Sequence, residues 1–452
     1  MIKSTRVIGI IALSALTISM ASCRKRGCTD KTATNFVSDA KKDDGTCFYP
    51  TGNSTNKIVE GLITENTVWN NSKIYELKGK VVVDNGATLT IEAGTIIKGQ
   101  QGSGTNASAL VIARGSKINA LGTASSPIIF TSVLDNIEKG EVLGTNLDEG
   151  DNGKWGGLII LGNAPISAGD GDTETQIEGI PATESYGTFG GSNSLDNSGI
   201  LSYISIRHGG TLIGAGNEIN GLTLAGVGAG TTINNIEIIA TLDDGIEFFG
   251  GTVNVTNLVV AFQGDDGIDI DMNYAGTISN FTVIHGIDTD EALEIDGPEG
   301  ITNTNGLFTL TNGTIKTIDG IGTGADFKSK AQGTLNNISW EGYTGKVIKI
   351  RASYSDTLNC VNKTDAYTNF TQNNPRLIIT NSQIISSNSM SSIVDVYSKS
   401  FVHPNNDNCT DYKESEVESI ITNGGVSIET VSTTGANPSD FSWTWCALTE
   451  RL

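Results

Sequence analysis

The chain has 452 residues, 55 of them Gly and only 8 Pro, with 6% aromatics and a formal net charge of −21. That charge excludes a nucleic-acid binder, whose phosphate contacts need an excess of Lys and Arg. Abundant Gly with few aromatics suits a turn-rich β protein, and the length suits a solenoid that grows as one unit rather than two globular domains.

Residues 1–22 read as a signal peptide and are left out of the fold: Lys3 and Arg6 give a basic start and Val7 to Ile18 an apolar core. Met20-Ala-Ser-Cys23 resembles a bacterial lipobox, which implies cleavage before Cys23 and a covalent lipid on its thiol. The mature chain is then expected to be anchored to a membrane rather than to span it. No other apolar run approaches the ~20 residues of a spanning helix. The expected location is the outer membrane, at the cell surface or on the periplasmic face.

Five cysteines remain, and an exported chain can oxidise them. Cys28 and Cys47 form the local pair, and Cys360 with Cys409 is the favoured second, leaving Cys446 over. Cys409 with Cys446 stays open as the alternative. Residues 23–50 hold Gly27-Cys-Thr-Asp30 and Asp43-Asp-Gly-Thr-Cys47, which resemble a short module of exported Bacteroidota proteins. The reading is a disulfide-closed acidic spacer, with Asp30, Asp43 and Asp44 as the groups a cation would use.

Polar residues 51–68 read as a linker, with a first strand beginning near Ile58, and residues 69–400 as a right-handed parallel β-helix. Its opening strands are Val81-Val-Val83, Gly86-Ala-Thr-Leu-Thr-Ile91, Gly94-Thr-Ile-Ile-Lys-Gly99, Ala109-Leu-Val-Ile112 and Pro127-Ile-Ile-Phe130, short and divided by Gly. Trp69 and its neighbours are expected to cap the first coil. Two polar insertions, 135–152 and 167–198, interrupt the rhythm and read as loops that carry contacts.

The pattern is clearest between Thr231 and Gly300. Leu242-Asp-Asp-Gly-Ile-Glu-Phe248, Gly264-Asp-Asp-Gly-Ile-Asp-Ile270 and Thr289-Asp-Glu-Ala-Leu-Glu-Ile295 repeat one motif. Each follows a matching stretch, at Asn235-Ile-Glu-Ile238, Asn257-Leu-Val-Val260 and Asn280-Phe-Thr-Val283. A spacing of 22 to 25 residues marks a stacked repeat. Alternating apolar residues within each copy give the strand period of two.

Coils stacked about 4.8 Å apart line up their side chains. Residues 241–300 contain thirteen Asp or Glu, no Lys or Arg and one His. Glu247, Asp269 and Glu294 should form one outward column, and Asp243 over Asp265 and Asp244 over Asp266 two columns at the turn. Bare carboxylates at that spacing repel by roughly 3.5 kcal/mol at an effective dielectric of about 20. Water, raised pKa values or cations must relieve them, and Ca²⁺ is the cation that oxygen ligands favour. The candidate metal ligands are therefore Asp243, Asp244, Glu247, Asp265, Asp266, Asp269 and Glu294.

Lys154-Trp-Gly-Gly-Leu-Ile-Ile-Leu-Gly162, Asn217-Glu-Ile-Asn-Gly-Leu-Thr-Leu224 and Asp243-Asp-Gly-Ile-Glu-Phe-Phe-Gly-Gly-Thr-Val253 together resemble exported, often lipidated parallel β-helix proteins of Gram-negative bacteria. That resemblance implies the fold and the location rather than a reaction. Leu242-Asp-Asp244, Gly264-Asp-Asp266, Ile284-His-Gly286 and Ile348-Lys-Ile-Arg351 are also similar to the motifs of polygalacturonases. The likeness implies Asp243, Asp265 and Asp266 as acid and base, His285 assisting, and Lys349 or Arg351 on a substrate carboxylate. A pectate-lyase mechanism would instead need a basic residue among the acids, and residues 241–300 supply none.

Beyond 300 the coils persist through Ile393-Val-Asp-Val396, Asp326 extends the column, and 401–452 reads as a C-terminal cap. The balance is against an enzyme. The expected function is a membrane-anchored binding module for a glycan or an outer-membrane uptake complex, stabilised by Ca²⁺, with a polysaccharide-degrading enzyme or a structural envelope protein as alternatives.

Overall fold

The computed structural model describes residues 56–212, 219–356, 361–386, 393–397 and 412–452, with a few isolated positions before residue 43. The chain divides into two units, Met1–Ser54 and Thr55–Leu452, and the second carries the fold. Cys23, Cys28, Cys47, Cys360 and Cys409 lie outside the described residues. Cys446 is buried with a free thiol.

The second unit is a right-handed parallel β-helix. Each central coil has one long strand, bent in the middle, and one short strand. The long strands include Thr232–Ile239, Asn254–Ala261, Thr277–His285, Phe308–Thr317 and Gly333–Glu341. Their bends fall at Asn235, Asn257, Asn280, Asn312 and Asn337, all at φ between 54° and 59°. Asn tolerates this left-handed conformation where most side chains would clash. The bend also stacks the amides: Asn257 Nδ2 donates to Asn235 Oδ1 at 3.0 Å, and Asn280 Nδ2 to Asn257 Oδ1 at 2.6 Å. One residue type thus turns the chain and ties each coil to the next.

The short strands stack into a face of their own, through Leu222–Ala225, Ile246–Phe249, Ile268–Asp271, Leu293–Ile295, Ala325–Phe327 and Ile348–Arg351. Ile246 lies over Ile268 and Ile268 over Leu293, so inward residues of successive coils meet in one continuous core. That core runs from Trp69, which stacks on Tyr75 at 4.8 Å, to Val426.

Three expectations about the edges change. The helix begins within the stretch read as a linker, with Lys57–Ile63 and Thr67–Trp69 as strands. An end coil is wet on its open side, so its strand carries Lys57 and Glu60 and loses the apolar alternation that marks a strand. The loop at 167–198 is not thrown free: Ile177, Ile180 and Phe189 pack on Val82, Val111, Ile159 and Leu161, covering the outer side of the short-strand face. The root of the loop at 135–152 is likewise buried, where Thr131 and the Ile137 amide donate to the Asp135 carboxylate at 2.9 Å.

The last stretch does more than cap. Helix α1, Ala366–Thr371, is joined by helix α2, Glu414–Asn423, which sets Val417 and Ile421 into the end of the core. After Ser427–Glu429 pairs with Gln383–Ile385, the chain turns back along the outside of the long strands. There Phe441, Trp445 and Cys446 cover Ile239, Ala261 and Ile284. Arg451 reaches Glu149 at 2.8 Å, a contact 302 residues apart in sequence.

Candidate cation site on the acidic face

A single outward column runs down the short-strand face. Its first members, Val82, Val111 and Ile159, are apolar and lie under the loop. Thr223 follows over Glu247, then Asp269, Glu294, Asp326 and Lys349, each in register with the next. Glu247, Asp269 and Glu294 therefore stack as expected, with Asp326 extending the column.

The second column lies at the turn before these strands. The Asp266 amide donates to Asp244 Oδ1 at 2.9 Å, and the Glu291 amide to Asp266 Oδ1 at 2.8 Å. Each carboxylate thereby satisfies a buried N–H of the coil below, which is why an acid recurs here. The following Gly is set by space: a Cβ at Gly245 would lie 2.1 Å from Val260 Cγ1, and one at Gly267 2.4 Å from the Ala292 carbonyl oxygen. Asp244, Asp266 and Glu291 are 7%, 4% and 3% exposed. Asp243 is half-buried and Asp265 exposed at the outer edge of the same turn.

Three sets of carboxylate oxygens converge to within 4.8 Å of one another: Asp243 with Asp244 and Asp265, Asp244 with Glu247 and Asp269, and Asp266 with Glu291 and Glu294. The third set is neutralised from below. Lys328 pairs with Glu294, Lys349 Nζ lies 2.7 Å from Glu291 and 3.3 Å from Asp326, and Arg351 forks onto Asp326. Basic residues therefore do stand beside the acids, contrary to the reading of residues 241–300 alone; they come from later coils. Among the described residues, no Lys or Arg forms a salt bridge with Asp244, Glu247 or Asp269.

The energetic consequence is local. Burial, and then Asp243, push the Asp244 carboxyl well above the usual range. Burial and Asp244 do the same to Glu247, and burial and Glu247 to Asp269. Asp266 is pushed up to about 12 by burial and by sharing a hydrogen bond with Glu294. Without a cation, burial and mutual repulsion make these carboxyls bind protons more tightly than free ones do.

Asn220 stands at the head of the turn column, where Asn220-Gly-Leu-Thr matches Asp244-Gly-Ile-Glu. It is 5% exposed and its amide nitrogen donates to Glu247, yet its Oδ1 is buried without a partner. With Thr223, Asp243 and Glu247 it lines a cavity of about 40 Å³. An orphaned acceptor in a cavity lined by the carboxylates of Glu178, Asp243 and Glu247 calls for a positive or hydrogen-bearing guest.

The polygalacturonase-like residues separate. Asp243 and Asp265 meet in one cluster with oxygens closer than the ~6.5–9.5 Å an inverting pair leaves for water. Asp266 lies in another cluster, buried and with its carboxyl pushed up to about 12. His285 joins none of these clusters: its Nε2 is 2.8 Å from the Thr289 carbonyl oxygen and its Nδ1 3.4 Å from the Tyr343 hydroxyl. The expected metal ligands Asp266 and Glu294 belong to the compensated set. Aligning the repeats marks Glu291 and Asn220 as further members of the turn column, whereas Lys328 carries no such mark.

A family model for the pectate-lyase-like β-helix domain matches residues 61–414, well over half of the chain. The chain belongs to that family. Neither a curated protein nor a solved structure matches it. Membership agrees with the coil stack and leaves the chemistry of this member of the pectate-lyase-like β-helix family to its own residues. Among the described residues, no helix is long and apolar enough to cross a membrane.

Proposed function

We propose that this pectate-lyase-like β-helix protein is an extracytoplasmic binding module, held on the outer membrane by a lipid on Cys23, whose acidic face takes up Ca²⁺. The observation that carries the cation reading is the cluster of Asp244, Glu247 and Asp269, which no Lys or Arg among the described residues bridges, beside a small cavity lined by Asp243, Glu247 and Asn220 with its orphaned Oδ1. Three oxygens within 4.8 Å of one another lie no more than about 2.8 Å from a common point, so a small inward turn of the side chains brings them to the Ca–O distance of about 2.4 Å. Uptake would compete with protons for these raised carboxyls.

Calorimetry with Ca²⁺ at pH 7.5, beside melting with and without chelator, tests this. Heat of binding and a higher Tm in Ca²⁺ are expected; no heat and superimposable melts would remove the reading. The membrane partner, whether an uptake complex or a surface glycan, is sought by gentle-detergent capture through the loops at 135–152 and 167–198.

A second reading, a polysaccharide lyase, is favoured by one observation: Lys349 and Arg351 lie beside the acids. Against it, Glu291 and Asp326 hold Lys349 protonated, with its pKa raised, where a lyase needs a proton acceptor. Polygalacturonate incubated with Ca²⁺ and a high protein load should yield no unsaturated ends; their appearance would reverse the order of the two readings.

A further inference from the structure

We infer that the groove on the opposite rim of the short-strand face, formed by the turns that follow those strands, binds a neutral oligosaccharide. The inference rests on the binding-module reading but not on the acidic columns. The groove has a volume of about 480 Å³, in the usual range for small-ligand sites. Its walls come from residues 251–252, 273–275 and 301–306 with Pro165.

None of its lining residues is ionisable, although the acidic face stands on the same strands. A ligand held by charge therefore finds no partner here. What the lining offers instead is Thr252, Asn273, Asn303, Thr304 and Asn305, with Ile301 89% exposed at the rim. The Asn305 amide and the Thr304 hydroxyl make no hydrogen bond within the described chain and supply both donors and acceptors. Sugar hydroxyls need such paired groups, and the C–H side of a sugar ring needs a bare apolar surface such as Ile301. An extended peptide would need an unpaired strand edge, whereas Ile246–Phe249, Ile268–Asp271 and Leu293–Ile295 are paired in sequence with one another and with the strands beyond.

The wall is also set in advance. Arg376 Nε donates to Gln332 Oε1 at 2.7 Å, and Gln332 Nε2 donates to Asn273 Oδ1 at 2.7 Å and to the Thr304 and Gly306 carbonyls at 2.8 Å. Asn273 in turn donates to the Asn303 carbonyl, and the Asn303 amide to the Ile166 carbonyl at 2.7 Å. Gln332 and Asn273 are 4% and 6% exposed, so this is a buried relay that fixes the loop at 303–306. A fixed wall spares a weak ligand the entropy of ordering its site.

The test is ligand-observed NMR and calorimetry on the full chain with cellotriose, xylotriose, mannotriose and maltotriose, and with trigalacturonate as the charged comparison. At least one neutral trisaccharide should bind equally in Ca²⁺ and in chelator. The double variant Thr304→Val and Asn305→Ala, with an unchanged Tm, should weaken that binding about tenfold or more. Asp269→Asn should leave it unchanged. Binding of trigalacturonate alone, no binding of any neutral trisaccharide, or binding indifferent to the groove variant would each overturn the inference. Because Ca²⁺ uptake is read separately, a failure of the cation site leaves this result standing, and the reverse.

Discussion

Replacing Asp269 by Asn removes one negative charge from the middle of the uncompensated cluster and keeps the shape of the side chain. Asp269 shares its cluster with Asp244 and Glu247, all within 4.8 Å. Each fully charged pair at that distance costs about 3.5 kcal/mol at an effective dielectric of about 20. Protonation limits the cost, since each pH unit between the solution and a raised pKa is worth about 1.4 kcal/mol. In chelator at pH 8 the variant should be more stable than the native chain by roughly 1–3 kcal/mol, or about 1–4 °C in Tm given the size of the domain. In saturating Ca²⁺ the order should invert. The native chain gains about 2.7 kcal/mol at a hundredfold excess over Kd, while the variant has lost a ligand and gains less. Thermal melts of both proteins under both conditions give the four numbers required. A variant that melts below the native chain in chelator and responds fully to Ca²⁺ would refute the claim that these acids are strained and share an ion.

The raised carboxyls of Asp244, Glu247 and Asp269 also fix a pH dependence. Their folded forms bind protons more tightly than the unfolded chain, so their contribution is complete below about pH 4 and is lost as pH rises through the folded values. Metal-free Tm should therefore fall as pH rises above about 4, and Ca²⁺ should flatten that fall; a flat metal-free profile would count against the burial of these charges. Lys349→Ala leaves Glu291 without a cation and Asp326 with Arg351 alone, and should cost about 3 kcal/mol at pH 7.5 in urea melts, less on acidification as Glu291 takes a proton. Asn257→Gly should cost about 2 kcal/mol for two lost amide bonds, and Asn257→Ala about 1–2 kcal/mol more for a Cβ at φ 58°. Ala melting at or above Gly would show that the bend is not what Asn is there for. Deleting residues 436–452 should uncover Ile239, Ala261 and Ile284, raise dye binding and lower stability by about 5 kcal/mol from the lost burial of Phe441 and Trp445, while circular dichroism keeps its strand signal.

The sequence by itself determined the coil and its acidic columns. A strand repeat of 22 to 25 residues leaves one way to bury alternate apolar side chains, so Glu247, Asp269 and Glu294 fall in line once the coils stack. Even the further members, Asn220 and Glu291, sit at positions the repeat defines. What only the tertiary structure decided is how those charges are answered. Lys349 falls below Asp326 at the repeat spacing, but Lys328 and Arg351 lie off the acidic column, and nothing in their local sequence says which acid they reach. The same holds for the loop that covers Val82 and Val111 and for the C-terminal stretch that returns to Glu149. Periodicity specifies a residue's neighbour one coil away; a contact between an insertion and a face, or between the two ends of the stack, is set by shape and charge in space, where no period carries it.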